Sequence, residues 1–150
     1  MKRSARQAFA AMNRRDLAAF MKVWADDAVF DFPSAFGGHF EGRAEIEGWF
    51  RRWWQQVADI RFQVRHVAVE DIAALGGTNA ATIEWELVEH DLEGRSYRLQ
   101  GVTAVEARGG RIVRARDYIF DTAPILELWG GSTTAAAAAE PPGEPVLAGR

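Results

Sequence analysis

Cysteine is absent from this 150-residue sequence, which excludes a disulfide framework and thiol chemistry. Long hydrophobic runs are absent too. No stretch reaches the roughly 20 apolar residues of a membrane-spanning helix, and the basic N-terminal segment lacks the apolar run of a signal peptide. The formal net charge of −3 provides no basic surface for nucleic acid. We therefore expect a cytoplasmic protein with no membrane partner and no nucleic-acid partner.

The sequence also lacks the short motifs that bind metals or phosphates and those that contain a catalytic nucleophile. No HExxH, CxxC, glycine-rich phosphate loop or serine nucleophile elbow occurs, and the paired glycines are typical of turns. We expect a protein that works without a cofactor.

What is present is the composition and element order of an α+β domain. Hydrophobic residues (48%) and charged residues (26%) are at ordinary globular levels. Periodicity predicts three helices: one over 4–13, one that begins after a cap at Asp16, and one over 43–57. It also predicts a short strand over 28–32 and alternating strands over 60–69, 80–90, 96–107 and 111–120. We predict three helices that cover one face of a curved antiparallel sheet and enclose a cone-shaped apolar cavity. The domain spans 1–130, and the low-complexity segment 131–150 is predicted to be a disordered tail.

The last predicted strand is the most informative segment. Alternation places Asp117 on one face with Val113, Ala115 and Ile119, which are all apolar. A lone carboxylate among apolar neighbours is costly to ionise, so its pKa should rise, which suits a proton donor or acceptor near neutral pH. The alternative is a structural role, in which Asp117 binds a backbone donor or an arginine on a neighbouring strand.

Two stretches carry a resemblance to a known superfamily. The order of elements, with MNRRDLAAFMKVWADDAVFDFP near the start and GGRIVRARDYIFD near the end, resembles the nuclear transport factor 2-like superfamily. Its enzymatic branch includes the SnoaL-like polyketide cyclases, ketosteroid isomerase, scytalone dehydratase and limonene-1,2-epoxide hydrolase. The stretch EGRSYRLQGVTAVEARGGRIVRARDY is similar to the epoxide hydrolase in particular. The resemblance implies that Asp117 is the general acid/base, that no metal is needed and that the chain forms a homodimer.

The same resemblance places an Arg-x-Asp pair of the hydrolase on Glu84 and Glu86, and its water-binding tyrosine and asparagine on Phe30 and Phe32. It therefore implies Glu86 as the catalytic partner of Asp117 and Glu84 as a second acid. The polar groups that activate water in the hydrolase are absent or changed here.

Two orientations are open for the strand over 80–90. If Glu84, Glu86 and Val88 point inward, they join Asp117 and favour an enzyme. If Trp85 points inward instead, Asp117 is isolated and a binding module is favoured.

Aromatic and small residues complete the predicted pocket. Trp49 and Trp53 lie one turn apart on the third helix, and either pack in the core or form a flat wall for a ring-shaped ligand. His39 lies in a loop at the predicted cavity mouth, or is simply exposed there. The other predicted substrate-binding residues are Phe30, Phe32, Val88, Leu99, Gly101, Ala115 and Ile119.

These features favour a cofactor-independent acid/base enzyme acting on a hydrophobic ring-type molecule, such as a polyketide, a terpenoid or a steroid-like compound. The expected reaction is cyclisation, isomerisation or ring opening. One alternative is an epoxide hydrolase with a rearranged water site, and another is a non-catalytic module that binds a hydrophobic ligand or dimerises. For the homodimer, the outward face of the sheet around Tyr118 is the predicted contact surface.

Overall fold

The computed structural model of the chain describes residues 2–34, 37–70 and 78–130. The elements are α1 (Lys2–Asn13), α2 (Leu17–Met21), β1 (Trp24–Asp31), β2 (His39–Glu41), α3 (Arg43–Gln56), β3 (Val57–Val69), β4 (Thr78–Asp91), β5 (Ser96–Arg108), β6 (Arg111–Ile119) and α4 (Ala123–Gly130). The predicted tail over 131–150 lies outside the described residues. No helix among them is both long and apolar enough to cross a membrane.

The architecture is α+β, as predicted, with helices packed on the concave face of a curved sheet that does not close. The six strands lie in the order β2-β1-β6-β5-β4-β3. The four strands β3 to β6 form the predicted antiparallel meander. The sheet is not antiparallel throughout, because β1 pairs parallel with β6 after the chain has crossed over through α3 and the meander.

Short-range chemistry explains how the helices begin and end. The Asp16 side chain accepts a hydrogen bond from the backbone N–H of Ala19 at 2.9 Å, which caps α2 as predicted. The guanidinium of Arg15 donates to the carbonyls of Val57 (3.0 Å) and Ala58 (2.8 Å), and also to that of Trp54. This cation therefore satisfies carbonyls at the C-terminal end of α3 and fixes that helix against the turn after α1.

An irregularity in β6 changes which side chains face inward. The register between β5 and β6 shifts after Glu106, so that Ala107 pairs with Ile112 while Glu106 pairs with Arg114. Val113 is the extra residue of this bulge. The prediction that Val113 shares a face with Asp117 is therefore wrong, and Ile112 instead lies in the cavity wall with Ala115, Asp117 and Ile119.

Candidate active site

The inner face of the sheet, α1 and α3 enclose an apolar cavity of about 200 Å³. This volume is somewhat larger than the roughly 150 Å³ of an apolar cavity that binds benzene, so the cavity has room for a small ring-shaped molecule. The polar side chains in its wall are Ser4, Thr103, Glu89 and Asp117. The apolar wall includes Phe9, Phe30, Trp49, Trp53, Phe62, Trp85, Leu99 and Ile119.

Asp117 is held by a short chain of hydrogen bonds. The indole N–H of Trp85 donates to Thr103 Oγ1 at 2.9 Å, and the Thr103 hydroxyl donates to Asp117 Oδ1 at 2.6 Å. Among the described residues, Oδ2 of Asp117 accepts no hydrogen bond. Burial raises the pKa of Asp117 to about 7, and the Thr103 hydrogen bond offsets part of that rise. One carboxylate oxygen is thus fixed, and the other is left for a ligand.

Strand β4 has the opposite orientation from the one that the hydrolase resemblance implies. Trp85 is buried and lines the cavity, whereas Glu84 is exposed and Glu86 lies on the outer face. Glu86 binds Arg65 at 2.6 Å and Gln100 at 3.1 Å, and the hydrogen bond from Arg65 lowers its pKa. Large apolar side chains take the inner positions of β4, so carboxylates at the alternate positions point to water. Glu84 and Glu86 are therefore not partners of Asp117.

Three further predicted pocket residues lie outside the cavity wall. Val88 is on the outer face of β4, opposite Arg98 of β5. His39 is exposed, with Nδ1 at 2.7 Å from Asp31 Oδ1 and Nε2 at 3.0 Å from Glu41 Oε1, and these carboxylates raise its pKa. Gly101 leaves space for Trp85 rather than for substrate. A Cβ there would lie 2.6 Å from Trp85 Cζ2 and 2.6 Å from the Tyr118 carbonyl oxygen.

The other predicted residues are in the cavity wall: Asp117, Phe30, Phe32, Trp49, Trp53, Leu99, Ala115 and Ile119. Trp49 contacts Phe32 with ring centroids 4.6 Å apart and Phe50 at 4.8 Å, while Trp53 lies 5.8 Å from Trp49. These tryptophans belong to the core and also present ring surface to the cavity, so the two roles coexist.

Sequence reasoning missed two polar residues of the cavity. Thr103 is opposite Asp117 in the register of β5 and β6. Glu89 is 1% exposed, and burial raises its pKa to about 7 despite a hydrogen bond from Trp53 Nε1 to Oε2 at 3.1 Å. A signal for Glu89 existed, because it continues the alternation of Ile83, Trp85 and Leu87.

The carboxyl groups of the cavity suit proton chemistry. Within 2–34, 37–70 and 78–130, no group of three or more His, Cys, Asp or Glu side chains could hold a metal ion. A carboxylic acid that titrates near neutrality in an apolar cavity can deliver and remove protons without one.

Comparison with known proteins agrees with this geometry. The fold is that of the nuclear transport factor 2-like proteins. An NTF2-like protein of Burkholderia pseudomallei superposes with a TM-score of 0.69, at 23% identity over 85% of this chain and 95% of its own. The chain belongs to the SnoaL-like domain family, which matches residues 5–115. Both findings confirm the resemblance noted in the sequence.

Two solved structures carry names that bear on activity. A "putative isomerase" of Bacillus subtilis is 30% identical, covering 87% of this chain and 92% of its own, with a TM-score of 0.68. A "putative polyketide cyclase" of Xanthomonas campestris pv. campestris is 26% identical, covering 76% and 85%, with a TM-score of 0.57. The chain therefore has a fold that occurs in proteins named as small-molecule cyclases and isomerases.

Proposed function

We propose that this protein is a cofactor-independent enzyme in which Asp117 is the general acid/base for a hydrophobic ring-type small molecule. The observation that carries the proposal is the Asp117 carboxyl group, which lines an apolar cavity with one oxygen fixed by Thr103 and the other unpartnered among the described residues. A pKa of about 7 gives both protonation states near neutral pH, as a proton-transfer catalyst needs.

The proposed reaction begins with proton removal from the substrate. Oδ2 of ionised Asp117 takes a proton from a carbon next to a carbonyl group, and the C–H electron pair forms the double bond of an enol or enolate. The protonated Asp117 then returns that proton to another atom. Return to a different carbon gives isomerisation, whereas attack of the enolate carbon on a second carbonyl, with the proton going to its oxygen, gives cyclisation. If a ring oxygen is bonded to the β-carbon, the enolate electron pair forms a new C=C bond, the C–O bond breaks and protonated Asp117 gives its proton to the leaving oxygen, which opens the ring.

The cavity restricts the substrate class. Its wall is apolar apart from a few polar groups, and its volume of about 200 Å³, compared with roughly 150 Å³ for a cavity that binds benzene, fits a molecule of one to two rings. We propose a polyketide, a terpenoid or a steroid-like compound of that size. Homodimerisation and a cytoplasmic location are part of the same proposal.

The orientation of Trp85 supports a second candidate, a non-catalytic binding module. Inward Trp85 removes Glu84 and Glu86 from the cavity, and Asp117 has no carboxylate partner next to it. The same arrangement weakens the epoxide-hydrolase alternative. Phe30 and Phe32 line the cavity at the positions where the resemblance places that enzyme's water-binding groups.

Proton exchange in a ketone separates the enzyme from the binding module. We would measure deuterium wash-out from 2-tetralone deuterated at C1 and C3 by NMR in H₂O at pH 7.5, with wild-type protein and with Asp117→Asn. General-base catalysis predicts wash-out about 10²- to 10⁴-fold faster with wild type than with the variant. Equal rates in the presence of demonstrated ketone binding would reject the enzyme and leave the binding module.

A further inference from the structure

The other carboxyl group in the cavity wall, that of the buried Glu89, has no role in the reaction proposed above. Its Oε2 accepts from Trp53 Nε1 at 3.1 Å, and no other hydrogen bond to Glu89 comes from the described residues. The side chain is 1% exposed and lies in the cavity wall. When Glu89 is protonated, its O–H is therefore a buried donor without a protein acceptor, which is costly unless a ligand supplies one.

Glu89 lies far from Asp117. The strand register places Asp117 opposite Thr103 and Thr103 opposite Ile83, and Glu89 is six positions farther along β4 than Ile83. Six residues of an extended strand span roughly 20 Å along the strand, and the curvature of the sheet makes the straight distance between the two side chains shorter than that. The two carboxyl groups therefore lie in separate parts of one cavity wall and cannot bind the same atom.

The surroundings of Glu89 keep it neutral. Trp53 of α3 and Ile60 of β3 are apolar apart from the indole N–H, and α1 contributes to the cavity only Ser4 and apolar side chains. On the described strands β4 and β5, the titratable groups beside Glu89 are Tyr97, opposite on β5, and Asp91, two residues farther along β4. The Asp91 carboxylate is neutralised locally, with Arg95 at 2.6 Å and the Tyr97 hydroxyl at 3.3 Å. Because burial outweighs the Trp53 hydrogen bond, it raises the pKa of Glu89 to about 7, and the side chain is protonated below that pH.

We propose that Glu89 is the anchor for a neutral oxygen, either a carbonyl or a hydroxyl, at the end of the substrate remote from the atoms on which Asp117 acts. The inference rests on the proposed function and narrows its substrate class. The ligand is an elongated hydrophobic molecule with an oxygen at both ends, one to react and one to be held. Ring hydrocarbons with a single oxygenated end lack the second group.

The test isolates the Glu89 end by working in an Asp117→Leu background. Calorimetry would give the affinities of 2-tetralone and of tetralin, which has the same rings without the carbonyl. In this background Glu89 should favour the ketone, and adding Glu89→Met should lower the ketone-to-tetralin affinity ratio about tenfold, the effect of one net hydrogen bond. Adding Glu89→Gln instead should keep the ratio, because an amide still accepts from Trp53 and still donates.

The pH dependence is a readout that a purely structural Glu89 would not change. The ratio should fall as pH rises through 7 with Glu89 present, because ionisation removes the donor, and should stay constant in the Glu89→Gln protein. A ratio that Glu89→Met leaves unchanged would overturn the proposal. So would a preference at high pH for 2-aminotetralin, which would make Glu89 a cation site. Since Asp117 is absent from these proteins, a negative wash-out experiment would not affect this result.

Discussion

At the scale of single residues, Asp117 and Asp31 show how environment sets the behaviour of one side-chain type. Burial raises the pKa of Asp117 to about 7, with only a neutral hydroxyl to oppose it. Burial acts in the same direction on Asp31, but hydrogen bonds from His39, Arg114 and Arg116 outweigh it and lower the pKa of Asp31 to about 2. Asp31 is therefore fixed as an anion, whereas Asp117 can exchange a proton near neutral pH.

The raised pKa of Asp117 predicts how stability depends on pH. Because the folded protein holds this proton more tightly than the unfolded chain, the stabilisation is complete below about pH 4 and is lost as pH rises through 7. The free energy of unfolding of the wild type should therefore fall between pH 5 and pH 8. In Asp117→Asn the fall over the same range should be smaller by about 2–3 kcal/mol. Thermal or urea unfolding at both pH values measures the difference. Glu89 and His39 also lose stabilisation in this window, but their effects cancel between the two proteins. Equal falls in both proteins would contradict the raised pKa.

Thr103 should tune the acidity of Asp117. Its hydroxyl donates to Asp117 Oδ1 at 2.6 Å and so favours the ionised form. In Thr103→Val that donor is lost, and the pKa of Asp117 should rise further. Titration of ¹³C-labelled aspartate carboxyls by NMR measures the shift. Thr82→Val, at an exposed position on the outer face of β4, is the matched control and should leave Asp117 unchanged. A downward shift in Thr103→Val would show that the hydrogen bond is not as described.

At the scale of the secondary-structure elements, the close contact between β4 and β5 positions the Thr103 side chain that binds Asp117. Gly101 allows the Trp85 indole to lie across β5 and reach Thr103. Gly101→Ala should therefore cost about 1–3 kcal/mol of stability and disturb Asp117, because its Cβ meets both Trp85 and backbone. Gly48→Ala is the comparison. It lies in α3, where the nearest atom is the mobile end of Arg52 at 3.3 Å, and should be neutral or stabilising by up to about 1 kcal/mol. Chemical unfolding measures the stability of both variants. A Gly101→Ala protein as stable as the wild type would contradict the close contact at Gly101.

Local signals predicted the elements well where periodicity was strong. The helix over 43–57 and the four meander strands match α3 and β3 to β6 within a few residues, since alternation and apolar spacing there are regular. β2 and α4 were not predicted, because three residues and a short apolar helix carry little periodicity. The strand predicted over 28–32 begins earlier, at Trp24, since the apolar stripe of α2 runs directly into β1.

The site was less predictable because it depends on strand phase. Asp117 could be singled out from its own apolar strand face. The resemblance implied that Glu84 and Glu86 point inward, whereas the pattern of the strand left both orientations open, and a one-residue slip in phase exchanges the two faces of a strand. The burial of Trp85 and Leu87 decides that phase, and it brings Glu89 into the cavity instead.

At the scale of the whole molecule, the outer face of the sheet is exposed around Tyr118. Arg98, Gln100, Glu106 and Arg116 are exposed there, and Tyr118 (49%) and Phe120 (66%) are exposed aromatics. Charges of both signs around aromatic side chains suit a self-complementary two-fold contact.

We therefore expect a homodimer in solution. Light scattering at micromolar concentration should give twice the chain mass of 16.7 kDa. Tyr118→Glu should weaken the dimer, because it places a charge in the contact. Leu92→Glu, which changes an apolar side chain that is 70% exposed in the turn between β4 and β5, should not. A monomeric wild type would defeat the expectation, and a dimer insensitive to Tyr118→Glu would place the contact elsewhere.

The central claim is that Asp117 transfers protons at near-neutral pH inside the cavity. Its most direct test is the pH profile of deuterium wash-out from 2-tetralone, with the rate in Asp117→Asn subtracted at each pH. Because the ionised carboxylate is the base, the catalysed rate should rise through a midpoint near pH 7 and then level off. A catalysed rate already level from pH 5 upward, or none above the Asp117→Asn rate at any pH, would contradict the account.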